Sequence, residues 1–238
     1  EQKNTICNIN KATENKKIHV INGKSKTGKS TVLLGLLANM INKDINNKHT
    51  IISPTKINNL LDKLISQQHI LFQNQPLIML IGDIQIYNEK YHHLHISKYI
   101  NTYKQIIPEI IKELNTNEII SQMNIDNILI KLVQLLIEPH SYKNEPVSEL
   151  FININDDKSY KDYIVSILSK WTNDKYISNI LFKNCTILLS PTQNNIDISE
   201  YNTNILIVDD AEQVSEINII EHMKVSTQQL ILLGNNEQ

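Results

Sequence analysis

The sequence contains no arginine; all 23 of its basic residues are lysine. The chain therefore cannot donate an arginine finger to a phosphoryl-transfer site. Glycine is nearly as scarce, with five in 238 residues, and cysteine occurs twice, at Cys7 and Cys185. Two cysteines make neither a disulfide framework nor a zinc site, which fits a reducing, intracellular compartment, cytoplasmic or nuclear. No apolar run is long enough to span a bilayer, and no stretch reads as a signal peptide. A formal net charge of −2 and a pI near 6.5 exclude a generally basic surface. Any nucleic-acid contact must then come from a local groove. The Asn, Ile and Lys bias suits AT-rich coding DNA better than a prion-like tract. Asn184-Cys185-Thr186 matches a glycosylation sequon, but its place at the start of a buried strand argues against use. The first residue is Glu, so an excerpt of something longer is expected.

What is present is a core-forming pattern, with 41% of residues apolar. Residues 18–22 read as a short buried strand, and Ser30 to Ile41 as a helix with Val32, Leu33, Leu36, Leu37 and Met40 at helical spacing. Strands follow at 49–53 and 77–83, with a helix between them to about Ile65. Strand signals return at 185–190, 204–210 and 229–235, with a helix expected from about Ala211 to Met223. Continuously apolar strands separated by helices predict an α/β fold with a parallel sheet covered on both faces. Between them, 84–182 is glycine-free and helically periodic, and too long for a loop. It reads as a helical insert that divides the core into 1–83 and 183–238. The triplet Ser-Pro-Thr follows two strands, at 53–55 and 190–192. Strand carboxyl ends are the edge where open α/β sheets bind ligands.

Two of the five glycines stand in Gly23-Lys24-Ser25-Lys26-Thr27-Gly28-Lys29-Ser30, followed by Thr31. This is the spacing of a P-loop, placed between a strand and a helix. Glycines permit the tight turn that aims successive N–H groups at phosphate oxygens, and the helix adds its positive end. Lys29 brings a charge to the β and γ phosphates of ATP, and Ser30 a hydroxyl to Mg2+. The plainer alternative is a lysine-rich turn capped by Ser30. A P-loop also needs acid on a neighbouring strand, and Ile205-Leu206-Ile207-Val208 delivers Asp209 and Asp210 to a strand end. Asp209 is placed to hold Mg2+ through water and Asp210 to polarise an attacking water. Acids favoured at a helix N-terminus are the alternative there. A last strand ends at Gly234 and presents Gln238, whose amide could sense the γ-phosphate.

Taken in order, these residues resemble superfamily 1 helicases, most closely the branch with the nonsense-mediated-decay helicase and senataxin. The opening "EQKNTI" is similar to the family's glutamine motif and implies adenine recognition by Gln2. "GKSKTGKS" is similar to its P-loop. Ser53-Pro54-Thr55-Lys56 matches its A-P-T-N motif and implies contact with a nucleic-acid backbone at Pro54, Thr55 and Lys56. "PLIMLIGD" resembles a family segment that carries an arginine, lost here. "KNCTILLSPT" resembles the stretch ending in a Thr-Leu-Ser type loop, which adds Pro191 and Thr192. "YNTNILIVDDAEQVSE" and "QLILLGNNEQ" resemble the family's D-E-A-x-Q and G-D-x-x-Q segments. The resemblance implies a RecA-like P-loop domain that binds and hydrolyses ATP with Mg2+ and moves on single-stranded RNA or DNA. It also implies a second RecA-like domain in the parent protein, which supplies the arginines this chain lacks and without which nothing is unwound.

Two positions depart from the family pattern. The catalytic glutamate is Asp210 here, which retracts the carboxylate by about 1.5 Å. A misplacement of about 1 Å can cost on the order of a hundredfold in rate. The aspartate of G-D-x-x-Q is Asn235. Nucleotide binding retained with slowed hydrolysis is the resulting expectation. An ATP-binding nucleic-acid scaffold with little turnover is the alternative, and an unrelated P-loop ATPase, such as a loader or a kinase, is a third. His92, His93, His95, Tyr87, Tyr91, Tyr99, Tyr103, Lys90 and Lys98 form a polar-aromatic cluster, read as a solvated surface of the insert, a base-stacking surface or a metal site. Trp171 reads as an anchor in the core of an insert helix.

Overall fold

The computed structural model describes residues 18–24, 27–73, 76–116, 162, 165–166, 168–169, 173–191, 201–223 and 226–235. The chain folds as two compact units, one of 1–92 with 185–238 and one of 93–184.

The first unit is an α/β fold around a six-stranded sheet. The strands are β1 (Ile18–Asn22), β2 (His49–Ile52), β3 (Ile78–Leu80), β4 (Ile187–Ser190), β5 (Ile205–Val208) and β6 (Gln229–Gly234). Their order is β1-β6-β5-β2-β4-β3, and every pairing is parallel. Every residue of β2, β3, β4 and β5 is buried. This is why those segments read as unbroken apolar runs in the sequence. The edge strand β1 departs from the buried strand expected at 18–22. His19 and Ile21 are buried, whereas Ile18 and Val20 are 59% and 61% exposed.

Two helices flank the P-loop half. Helix α1 (Lys29–Lys43) buries Val32, Leu33, Leu34, Leu36, Leu37, Ala38, Met40 and Ile41. Helix α2 (Ile57–Leu71) buries Ile57, Leu60, Leu61 and Leu64, a single helical stripe. It runs past the expected end near Ile65 to Leu71, whose carbonyl accepts from Asn42 Nδ2 at 2.8 Å. The same Asn42 accepts the Gln73 amide through Oδ1 at 2.8 Å. One polar side chain thus ties the ends of both helices together.

The second unit contains α3 (Ile96–Thr116), with Pro108 inside it, and α4 (Asp174–Asn184). Lys104 pairs with Asp174 between them. Tyr99, Tyr103, Ile107, Ile177 and Leu181 are buried. In the first unit Tyr87 and Tyr91 are buried too. The four tyrosines therefore serve the packing of their own units, which corrects the base-stacking reading for their rings, while Lys90, His93 and Lys98 are exposed as the solvated reading expects. Among the described residues no group of three or more His, Cys, Asp or Glu is assembled for a metal, and no helix is long and apolar enough to cross a membrane. Trp171 lies outside the described residues.

In the first unit, the helix expected over 211–223 is broken into two pieces. A single 3-10 turn covers Ala211–Gln213, and a new helix α5 (Glu216–His222) starts after Ser215. Ser215 Oγ accepts the Asn218 amide at 3.3 Å, an N-cap that sets the second start. Val214 enters the core with Ile52, Leu206, Val208 and Leu230.

Candidate functional site

The carboxyl edge of the sheet gathers the sequence motifs. Strand β1 ends at Asn22, and the Gly23 amide donates to the Gly234 carbonyl at the end of β6 at 3.1 Å. A Cβ on Gly23 would stand 2.7 Å from Thr27 Oγ1, so any other residue there must displace the Thr27 hydroxyl. Thr27 Oγ1 donates to the Lys24 carbonyl at 2.7 Å, and the Thr27 amide to the same carbonyl at 3.3 Å. Gly28 takes φ 88°, a left-handed conformation that costs other residues energy. Its carbonyl then accepts the amides of Thr31 and Val32 at 2.9 and 3.1 Å. The N–H groups of Lys29 and Ser30 open the helix, where no intrahelical acceptor exists. Lys29 is half-buried and its ammonium donates to the Gly23 carbonyl at 2.8 Å.

The acidic pair arrives from β5. The Asp209 amide donates to the Ile52 carbonyl at 2.8 Å, which sets Asp209 beside the end of β2. Ser53, the next residue of that strand, points its hydroxyl at Asp209 Oδ2 across 3.4 Å. Asp210 takes φ 49°, the one non-glycine residue with positive φ among the described residues. Asp tolerates this region better than most side chains, and such an outlier at a strand's carboxyl end motivates a functional hypothesis. Both aspartates are 2% exposed.

Their carboxyls are driven in opposite directions. Burial, then the neighbouring Asp210 charge, pushes Asp209 above the usual carboxylate range. Burial also acts upward on Asp210, but Lys56, Thr55 and Lys29 together outweigh it and hold the group below that range. Lys56 is raised in turn, first by its hydrogen bond to Asp210. The contacts behind this are short: Lys56 Nζ donates to Asp210 Oδ1 and Oδ2 at 2.9 and 2.8 Å. Thr55 Oγ1 donates to Oδ2 at 2.9 Å. The Lys29 charge is the smallest of these influences on Asp210.

Glu212 completes the edge. Its Oε2 accepts the Asn235 amide at 3.2 Å, which holds the turn after β6 against the turn after β5. Sequence reasoning named Ser53 only as the first residue of a motif match, and it passed over Glu212. Glu212 stands in the acidic motif itself, two residues beyond Asp210, and that nearness was the available signal.

Of the expected site residues, Gly23, Lys24, Thr27, Gly28, Lys29, Ser30, Thr31, Asp209 and Asp210 fall at this edge. Thr55 and Lys56 reach it by way of Asp210, and Pro54 precedes them in the same turn. Pro191 is buried, and its carbonyl accepts from Ser190 Oγ at 2.8 Å. Gln2, Ser25, Lys26, Thr192 and Gln238 lie outside the described residues.

The residues present fit a triphosphate with magnesium. A Cβ at Gly23 would crowd the Thr27 hydroxyl, Gly28 makes the left-handed turn into the helix, and Lys29 adds a cation. Asp209 is a buried carboxyl at the loop's edge whose charged form a divalent cation would favour. Ser30 and Asp209 would be the oxygen donors for such an ion. Magnesium keeps most of its shell as water and phosphate oxygens, so a group of three protein ligands is not required. No family model and no curated protein matches this chain.

Proposed function

We propose that this chain is the first RecA-like domain of a superfamily 1 type motor, which binds ATP with magnesium and works on single-stranded RNA or DNA. The all-parallel α/β sheet is compatible with that fold and is shared by others. The observation that carries the reading is the meeting of the P-loop and the acidic pair at one sheet edge. The Gly23–Gly234 bond sets the loop beside β6, the Asn235–Glu212 bond sets the turn after β6 against the acidic turn, and the Lys29 charge acts on Asp210.

Each residue then has a role of its own. The amides of Lys29 and Ser30 and the Lys29 ammonium hold the β and γ phosphates. Ser30 and Asp209 would hold magnesium, and Asp210 orients and polarises a water. When bound, the metal neutralises phosphate charge during transfer. Gln2 is the adenine contact and Gln238 the γ-phosphate sensor in this proposal. Pro54, Thr55, Lys56 and Thr192 are proposed to face the nucleic-acid strand, whereas the buried Pro191 is not. With no arginine, the chain depends on a second RecA-like domain for its finger and for unwinding. An intracellular setting fits the free Cys185, whose thiol burial pushes up to about 12.

The test is binding of a fluorescent ATP analogue with magnesium. Wild type binds, and Lys29→Ala weakens binding at least tenfold. Equal affinities would refute the reading. The scaffold alternative is favoured by one observation: the Asp210 carboxylate is engaged by Lys56 and Thr55. ATP turnover with single-stranded RNA, measured with the second domain present, separates them. A motor is strongly stimulated, whereas a scaffold binds without stimulation.

A further inference from the structure

We propose that Thr55 and Lys56 form a receptor for one anion, which Asp210 occupies until a phosphodiester of a single strand displaces it. Strand binding would thereby release the Asp210 carboxylate for water activation. The identity of the incoming anion rests on the functional reading above.

The receptor is built from three hydrogen bonds. Lys56 Nζ donates to both Asp210 oxygens and Thr55 Oγ1 to one of them, all within 2.9 Å. A cation and a hydroxyl converging on an anionic oxygen pair are the donors that proteins also offer to backbone phosphates. The donors lie on the open side. The Lys56 side chain is 45% exposed, whereas that of Asp210 is 2% exposed. A phosphate can therefore approach from solvent while the carboxylate approaches from within. Like charges cannot share the donors without repulsion, so the two anions compete.

Asp210 is also suited to letting go. It sits at φ 49°, and its carbonyl accepts the Gln213 amide at 2.9 Å. Its backbone is thus fixed by the 3-10 turn, and its side chain can exchange partners without moving β5. While Lys56 and Thr55 hold both carboxylate oxygens, water must compete with a cation for them. Linkage makes the effect reciprocal: removing the internal anion must strengthen binding of the external one.

The experiment is fluorescence anisotropy of a short fluorescein-labelled oligothymidylate with the full chain, at low salt and without nucleotide. Asp210→Asn suits the left-handed backbone and removes the competitor. Its affinity should rise about three- to tenfold over wild type. Adding Lys56→Met to that variant should abolish the gain. Asp209→Asn removes the same charge one residue away but spares the pair, so its gain should be clearly smaller. The proposal fails if Asp210→Asn binds no tighter, if Asp209→Asn gains equally, or if no variant binds. Thr55→Val, an exposed change, supplies a second reading should Asp210→Asn fail to fold: it should weaken binding about threefold, and unchanged binding counts against the receptor. Failure of the functional reading looks different. Lys29→Ala and wild type would then bind the ATP analogue alike, whatever the oligonucleotide does.

Discussion

The Gly23 amide and the Gly234 carbonyl meet at 3.1 Å, across the ends of neighbouring parallel strands. One residue beyond Gly234, the Asn235 amide is held by Glu212 of the acidic motif. The P-loop is therefore fastened to the last strand by a backbone bond, and the last strand to the acidic turn by the Glu212 side chain. A Cβ on Gly234 would lie 2.8 Å from Glu212 Oε2. Gly234→Ala should push that flexible carboxylate aside and lose the Asn235 bond. The expected cost is about 1 kcal/mol in urea unfolding, and Glu212→Gln should cost less. A neutral Gly234→Ala would mean that the clasp contributes nothing.

Gly28 carries the turn from the loop into α1 at φ 88°. An alanine there must enter the left-handed region, at about 1–2 kcal/mol. Gly28→Ala should lower the urea midpoint accordingly and also weaken binding of the ATP analogue. Gly28→Asn should be milder, because Asn tolerates this region.

His49 is fully buried in β2, and burial pushes its imidazole down to about 4. The unfolded chain takes up a proton near pH 6.5 that the folded chain refuses until about pH 4. Stability is therefore complete above pH 6.5 and falls as the pH drops toward 4. The loss from this one group is about 3 kcal/mol at most. Urea unfolding across that window measures it, and His49→Phe should flatten the slope. A variant with the wild-type slope would clear His49 of the effect.

Asp210→Glu restores the carboxylate reach of the resembled family. ATP turnover should rise in the intact protein, measured by phosphate release with single-stranded RNA present. A flat or lower rate would show that reach is not what limits hydrolysis here. The same variant should still pair with Lys56, so oligonucleotide affinity should change little.

The parallel sheet was legible because its central strands are buried on both faces, which leaves unbroken runs such as Ile205-Leu206-Ile207-Val208. The tight turn between β1 and α1 was legible because its signal is local: Gly23, Gly28, Lys29 and Ser30 lie within eight residues. The half-exposed face of β1 was hidden, since a strand's place at the sheet edge depends on which strands pair with it. The break between Ala211 and Glu216 was hidden as well. Helical periodicity continues through it, and the left-handed Asp210 and the Ser215 cap decide it. The tyrosines at 87, 91, 99 and 103 looked exposed because charged residues and histidines surround them in sequence, yet their rings fill the cores.

By itself the sequence determined the alternation of strands and helices, the loop that can turn around phosphate and the lack of any arginine to complete a phosphoryl-transfer site. All of these follow from residue type and short spacing. Only the tertiary structure decided that Lys56 clasps Asp210, 154 positions away, and that Glu212 closes on Asn235. Such pairings depend on strand order: β2 lies against β5, and β5 against β6. Strand order is a property of the folded sheet that no local pattern encodes.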